Sequence, residues 1–251
     1  IQEAAAGSMI MYTRGCGIED TDTTGFAAAV TIARKADVVV MVMGEAEGMS
    51  GEACCRSFIG LPGNQLDLIK AIHSTGKPVV LVLMNGRPLA IGWEAANLSA
   101  IVESWHLGHE TGHAIADVLF GAYAPTGRLS VSFPRVTGQI PVYYNHKNTG
   151  RPSNDTIHYT SKYRDVPSSP LYPFGFGLAY TTFGYSNLVV DGAKLRSVDS
   201  LRVRVTVSNT GARDGDEVVQ LYVRDDVGTL TRPVRELKAF KRVHLTAGAS
   251  A

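Results

Sequence analysis

The sequence predicts an α/β fold, a mostly parallel sheet sandwiched between helices, followed by an incomplete all-β sandwich. Three observations carry this. Two continuous apolar runs, Val38 to Met43 and Val79 to Met84, read as strands buried on both faces, as in a parallel sheet covered by helices. Segments of helical periodicity alternate with these runs, giving a βαβα rhythm. Beyond Phe174-Gly175-Phe176-Gly177 the apolar period drops to two, the pattern of a β-sandwich.

In chain order, Met9 to Tyr12 read as a short strand before the turn Gly15-Cys16-Gly17. Asp20 to Thr24 can cap the helix that Phe26, Val30, Ile32 and Ala33 mark between Gly25 and Lys35. The strand from Val38 follows. Leu61-Pro62-Gly63 starts a helix with Leu66, Ile69 and Ile72 on one side, ending near Gly76. After the strand from Val79, a third strand, Ala100 to Trp105, leads through Gly108-His109-Glu110-Thr111-Gly112 into a helix from His113 to Phe120. Leu129 to Phe133 alternate as a strand that Pro134 stops.

Val136 to Pro173 lack periodicity, yet Tyr143, Tyr144, Tyr159, Tyr163 and Tyr172 predict packing rather than free linker, since disordered segments are poor in aromatics. Leu201, Val203, Val205 and Val207 alternate, Asn209-Thr210-Gly211 turns, and Glu217 to Arg224 forms a further strand. The expected partition is 1–135 for the α/β domain, 136–175 for a Tyr- and Pro-rich connection and 176–251 for the sandwich. About four strands precede Ala251 where a sandwich expects about seven, and the chain begins Ile1-Gln2-Glu3 rather than with Met. Both ends therefore read as cuts in a longer protein.

Composition narrows the function. A chain of 251 residues with 45% hydrophobic and 19% charged residues can bury real cores. Its formal net charge of +1, with no basic block, offers nucleic acid and anionic lipid no footprint. Neither apolar run approaches the roughly 20 residues of a membrane helix. Cys16, Cys54 and Cys55 are an odd set; the adjacent pair could close only a strained ring, so all three read as free thiols. No G-x-G-x-x-G or P-loop follows a strand, and no cofactor is expected.

The chemistry concentrates in the loop after the first apolar strand, where Glu45, Glu47 and Glu52 fall within eight positions. Ligands of open α/β sheets bind outside the carboxyl ends of the strands. Close carboxylates repel one another's charge and an apolar wall adds desolvation, so one of them can keep a proton near neutral pH and act as a general acid. Glycosidic cleavage needs such a group. A solvated acidic loop is the alternative. Residues 45–52, 85–87 and 105–110 are expected along one rim.

The motifs in fixed order resemble glycoside hydrolase family 3. They are Gly44-Glu45, Glu52-x-x-x-Arg56, Leu61-Pro62, Gln65, Gly86-x-Pro88, Trp105, Gly108-x-Glu110-x-Gly112, Ala116-Asp117-Val118-Leu119-Phe120-Gly121 and Ser132-Phe133-Pro134. They are similar to that family's second domain. Tyr172-Pro173-Phe174-Gly175 through Phe183 resembles the entry to its fibronectin type III-like domain. Gln139-Ile140-Pro141-Val142-Tyr143-Tyr144 looks most like bacterial periplasmic members. The resemblance implies a retaining exo-glycosidase that removes terminal β-linked glucose, or xylose, from β-glucosides or oligosaccharides. It implies a periplasmic or secreted location and a nucleophilic Asp on a preceding (β/α)8 barrel, absent here. Register on Glu-x-x-x-Arg and the following Leu-Pro puts Glu52 at the acid/base position and Arg56 at the family's arginine; Glu47 fits that register less well. Where many members carry Asp before that arginine, this chain has Cys55.

Glu47, Arg56, Asn85 and Trp105 are candidate sugar contacts, with aromatic burial the competing use of Trp105. His106, His109 and His113 suggest a metal on a helical face, but no Cys or Asp completes a tetrahedral set, so no metal is expected. Glu110 reads as a structural acid at a helix start. Asn148 and Arg151 are placed to reach the sugar site or a second subunit of a homodimer. A non-catalytic carbohydrate-binding or interaction module on the same scaffold is the competing function.

Overall fold

The computed structural model describes residues 1–192 and 200–251. The chain forms two compact units. One comprises Ile1–Ala116, Val131–Tyr144 and Thr149–Phe174; the other comprises Asp117–Ser130, Asn145–Asn148 and Gly175–Ala251.

In the first unit, α1 (Phe26–Lys35), β1 (Val39–Gly44), α2 (Gln65–His73), β2 (Val79–Met84), α3 (Gly92–Asn97), β3 (Ala100–Glu103) and α4 (Thr111–Leu119) follow in order. The strands form one parallel sheet, β1-β2-β3, with Met43 opposite Leu83 and Leu83 opposite Glu103. β2 is apolar on both faces because it is central: Leu81, Val82 and Leu83 are wholly buried. Leu68, Ile69 and Ile72 of α2 and Ala29 and Ala33 of α1 are buried too. Each such large side chain contributes ~1.5–3 kcal/mol relative to exposure.

β1 departs from the expectation of burial on both faces. It is an edge strand of the described sheet, so Met41 points in while Val38, Val40 and Val42 stay exposed. Met9 to Tyr12 form no strand, and Met9 and Tyr12 are exposed. Helix α1 has no side-chain cap; instead Asp22 accepts the Thr24 N–H (2.8 Å) and hydroxyl (2.9 Å), which holds its carboxyl below the usual range. Leu129 to Phe133 alternate without building a ladder: one isolated bridge joins Phe133 to Tyr172.

The long irregular stretch contains a single 3-10 turn, Thr137–Gln139, and is held by side chains. Buried Gln139 donates from Nε2 to the Pro167 (3.1 Å) and Ser169 (3.0 Å) carbonyls, and Tyr144 stacks on Phe174 at 4.2 Å. Of the five tyrosines expected to pack, Tyr144 and Tyr172 do so, against Phe174 and Phe133, whereas Tyr143, Tyr159 and Tyr163 are exposed.

The second unit carries β4 (Phe183–Val190) antiparallel to β5 (Val203–Asn209), and β6 (Gly215–Val223) antiparallel to β7 (Glu236–Leu245). Buried Asn209 joins the two ladders: its Oδ1 accepts the Thr181 hydroxyl (2.6 Å) and its Nδ2 donates to the Leu245 carbonyl (3.0 Å). Glu217 accepts the Tyr185 hydroxyl (2.7 Å) and Arg128 (2.6 Å); burial first, then Glu217, pushes the Tyr185 phenol up.

Candidate active site

The parallel register brings three strand ends side by side. Gly44 lies opposite Met84, and Leu83 opposite Glu103, so Glu45, Asn85 and the Ser104-Trp105 step leave the sheet from neighbouring strands. These are the carboxyl ends, where an open α/β sheet presents its ligand crevice.

Gly44 sets the exit from β1. Its φ of 144° is open to glycine, and a Cβ there would sit 1.9 Å from the Met84 carbonyl oxygen. The amide of buried Gln65 clamps the step, accepting the Gly44 N–H at 2.8 Å and donating to the Gly44 carbonyl at 2.7 Å. Glu45 N–H then bonds the Met84 carbonyl at 2.8 Å, turning the Glu45 side chain inward.

The three glutamates therefore have different fates. Glu45 is 5% exposed and lies between two guanidiniums: Arg56 Nη1 at 2.5 Å and Arg87 Nε at 3.0 Å, with the Gly86 N–H at 3.3 Å. Arg56 also donates to the Gly60 carbonyl (3.0 Å), and Arg87 to that of Met49. This carboxylate is an anchor whose two arginines pin both ends of the loop. The expected repulsion between clustered carboxylates does not describe it, because opposite charges surround Glu45 while its two neighbours face solvent. Glu47 opens a short 3-10 turn, Glu47–Met49, and is exposed. Glu52 is exposed on a tight turn closed by the Gly51–Cys54 bridge, beside Ala53 at φ 58°.

Next to this turn lies a groove of about 480 Å³, lined among others by Met49, Cys54, Cys55, Arg56 and Phe58. All three cysteines are free. Arg56 thus faces both the buried carboxylate and the groove.

Asn85 is wholly buried, which removes it from direct contact with a ligand in this structure. Its Nδ2 donates to the Arg87 carbonyl (2.8 Å) and to Glu103 Oε2 (3.3 Å), while its Oδ1 has no hydrogen-bond partner. Trp105 adopts φ 54°, with its N–H on Glu103 Oε1 at 2.9 Å and its ring 5.9 Å from that of Phe133. It is half-buried. Burial pushes the Glu103 carboxyl up to about 7, against the opposing pull of the Trp105 N–H and the Asn85 amide. Sequence reasoning passed over Glu103; a carboxylate closing an otherwise apolar strand, two residues before a Trp, was the available signal.

The histidines do not converge. His113 pairs with Glu110 at 2.7 Å, one helical turn away, and among the described residues no group of three or more His, Cys, Asp or Glu is placed to hold a metal. Among the described residues no helix is long and apolar enough to cross a membrane.

Residues 1–180 match the glycosyl hydrolase family 3 C-terminal domain. The chain belongs to this family. Residues 217–251 of the family 3 chain match the fibronectin type III-like domain. It is 51% identical over 222 residues to the periplasmic β-glucosidase of Salmonella typhimurium, covering 88% of this chain and 29% of that protein. It is 43% identical over 239 residues to a β-xylosidase of Formosa agariphila, covering 95% of this chain and 32% of the other. Among solved structures, β-glucosidase from Listeria innocua in complex with glucose superposes with a TM-score of 0.88 at 41% identity, over 94% of this chain and 33% of that one. The family 3 chain thus spans about a third of the length of these relatives.

Proposed function

We propose that this chain is part of a retaining exo-β-glucosidase that hydrolyses terminal, non-reducing β-D-glucosyl or β-xylosyl residues. Glu52 is the general acid/base, and the nucleophilic Asp lies on an N-terminal (β/α)8 barrel of the same polypeptide. The observation that carries the reading is Glu52, solvent-facing on a turn at the carboxyl rim of the sheet, in a loop that Glu45, Arg56 and Arg87 anchor. The named β-glucosidase and β-xylosidase relatives support the substrate class.

In a retaining mechanism two carboxyl groups stand roughly 5–5.5 Å apart, one attacking the anomeric carbon and the other protonating the leaving oxygen before activating water. Glu52 supplies the second role from a loop whose base is fixed while its tip stays open to the sugar. Arg56 and Glu47 border the sugar side and Trp105 offers a ring face. Asn85 acts from beneath, through Arg87 and Glu103. No cofactor is required for this chemistry. The periplasmic relative supports a periplasmic or secreted location.

Glu52→Gln in a polypeptide that carries the barrel tests the assignment: turnover of unactivated β-glucosides should fall steeply, and unchanged turnover sinks it. The 251-residue chain alone should release no glucose from such substrates. A non-catalytic carbohydrate-binding module would behave oppositely, binding sugar with the barrel removed.

A further inference from the structure

The rim contains one half-buried ionisable group that the proposed mechanism leaves unused. Glu103 ends β3 and faces Asn85 at the end of β2 and the backbone of Trp105. The Arg87 carbonyl lies one hydrogen bond beyond Asn85, Glu45 one beyond the Arg87 side chain, and His106 follows Trp105 in the chain.

Left-handed backbone costs a bulky side chain on the order of 1–3 kcal/mol and persists where the surroundings over-determine it. Trp105 has such a backbone, at φ 54°. What fixes it is the Glu103 carboxylate: Oε1 takes the Trp105 N–H at 2.9 Å and Oε2 takes the Asn85 amide at 3.3 Å. Ser104, between them, is tied to the Leu83 carbonyl at 2.6 Å.

We propose that Glu103 is the positioning residue of this rim: its carboxylate holds the Trp105 backbone, joins it to Asn85, and so sets where the Trp105 ring stands for an incoming sugar. The positioning follows from the geometry alone; its consequence for sugar binding rests on the glycosidase reading above.

An ionised carboxyl accepts at both oxygens, whereas a protonated one must donate from one of them. Both Glu103 oxygens accept here, from the Trp105 N–H and the Asn85 amide, so protonating either one displaces one of these two bonds. The rim thus has two hydrogen-bond arrangements, exchanged by a single proton. Burial brings the exchange to about pH 7. His106 is exposed and adjacent to Trp105 in the chain, so His106→Gln serves as the control.

The test uses this chain labelled with fluorotryptophan, which gives one 19F resonance each for Trp93 and Trp105, assigned with Trp93→Phe. The Trp105 resonance should move with a midpoint near pH 7, keep that transition in His106→Gln, and lose it in Glu103→Gln. A parent resonance that stays still across this range overturns the proposal whatever the variants do. So does a transition that survives Glu103→Gln, or that His106→Gln abolishes. Glu103→Asp, which keeps a titrating carboxyl on the strand end, covers a failure of the Gln variant to fold: it should retain a transition with a displaced midpoint, and an unaltered midpoint overturns the assignment to residue 103. In a barrel-bearing polypeptide Glu103→Gln should raise KM about tenfold with kcat within about twofold, the pattern of lost binding rather than lost chemistry. An equal fall in kcat and kcat/KM overturns the positioning role. If Glu52→Gln proves silent, the glycosidase reading fails while the 19F titration still judges Glu103.

Discussion

Glu45 of the α/β unit and Asp216 of the β unit are both buried carboxylates, matched by partners that differ in exposure. In the α/β unit, Glu45 is 5% exposed between Arg56 and Arg87, and Glu103 is pushed up by burial with no guanidinium of its own. In the β unit, Asp216 pairs with Arg242 and His244 across the β6–β7 ladder, where the arginine and histidine side chains are 56% and 64% exposed. Hydrogen bonds from Arg242 first, then His244, hold the Asp216 carboxyl below its ordinary value. The lesson concerns solvent. Buried charge must be matched group by group, and what is left unmatched becomes tunable. Asp216 is itself buried, but its cationic partners stand in solvent, where such pairing is screened and contributes little.

The sharpest way to break this contrast is chemical. Glu52→Gln in a barrel-bearing polypeptide should lower turnover of unactivated β-glucosides by roughly 10²–10⁴-fold, the usual worth of general acid–base catalysis, measured by glucose release. Next comes Arg56→Met, which leaves Glu45 buried with one partner; removing half of a buried ion pair costs about 3–5 kcal/mol. The urea midpoint should drop accordingly, and a parent-like midpoint would show that the anchor is dispensable.

Glu103→Gln should flatten the pH dependence of stability. The folded pKa, about 7, lies above the ordinary 4.5, so the folded state holds this proton more tightly than the unfolded chain. The contribution is therefore most favourable below pH 4.5 and is lost as pH rises to about 7. At about 1.4 kcal/mol per pKa unit the loss is about 3 kcal/mol at most. Urea melts across that range should show the slope in the parent and not in the variant. Smallest of all, Arg242→Gln should leave the urea midpoint of the β unit near that of the parent, with any difference vanishing at high salt.

Much of the scaffold was legible in the sequence, because apolar runs mark where parallel strands lie, even where, as in β1, one face stays exposed. Val79 to Met84 is β2 to the residue, and Val38 to Met43 is displaced by one from β1. Helix α3 escaped notice since six residues, Gly92–Asn97, are too few to display a helical period. Leu129 to Phe133 misled in the opposite sense: their alternation is real, but a single bridge replaces a ladder. In the site, the order of motifs pointed to the loop after β1. It could not tell which glutamate turns inward, because that depends on Gly44, Gln65 and two arginines 11 and 42 positions along the chain from Glu45. Asn85 reads as a rim residue in sequence and lies under the rim in space, since strand ends give position along the sheet but not depth.

The rim also turns on a carbon atom that is missing. A side chain at residue 44 would collide with the Met84 carbonyl and force apart the two backbones that aim Glu45. A library randomised at that codon and selected for sugar release should return glycine alone. One randomised at Gly48, where an added Cβ meets nothing within 4 Å, should return nearly the whole alphabet. Two glycines four places apart thus have opposite heredity: one is a fixed joint, the other open ground on which specificity can drift.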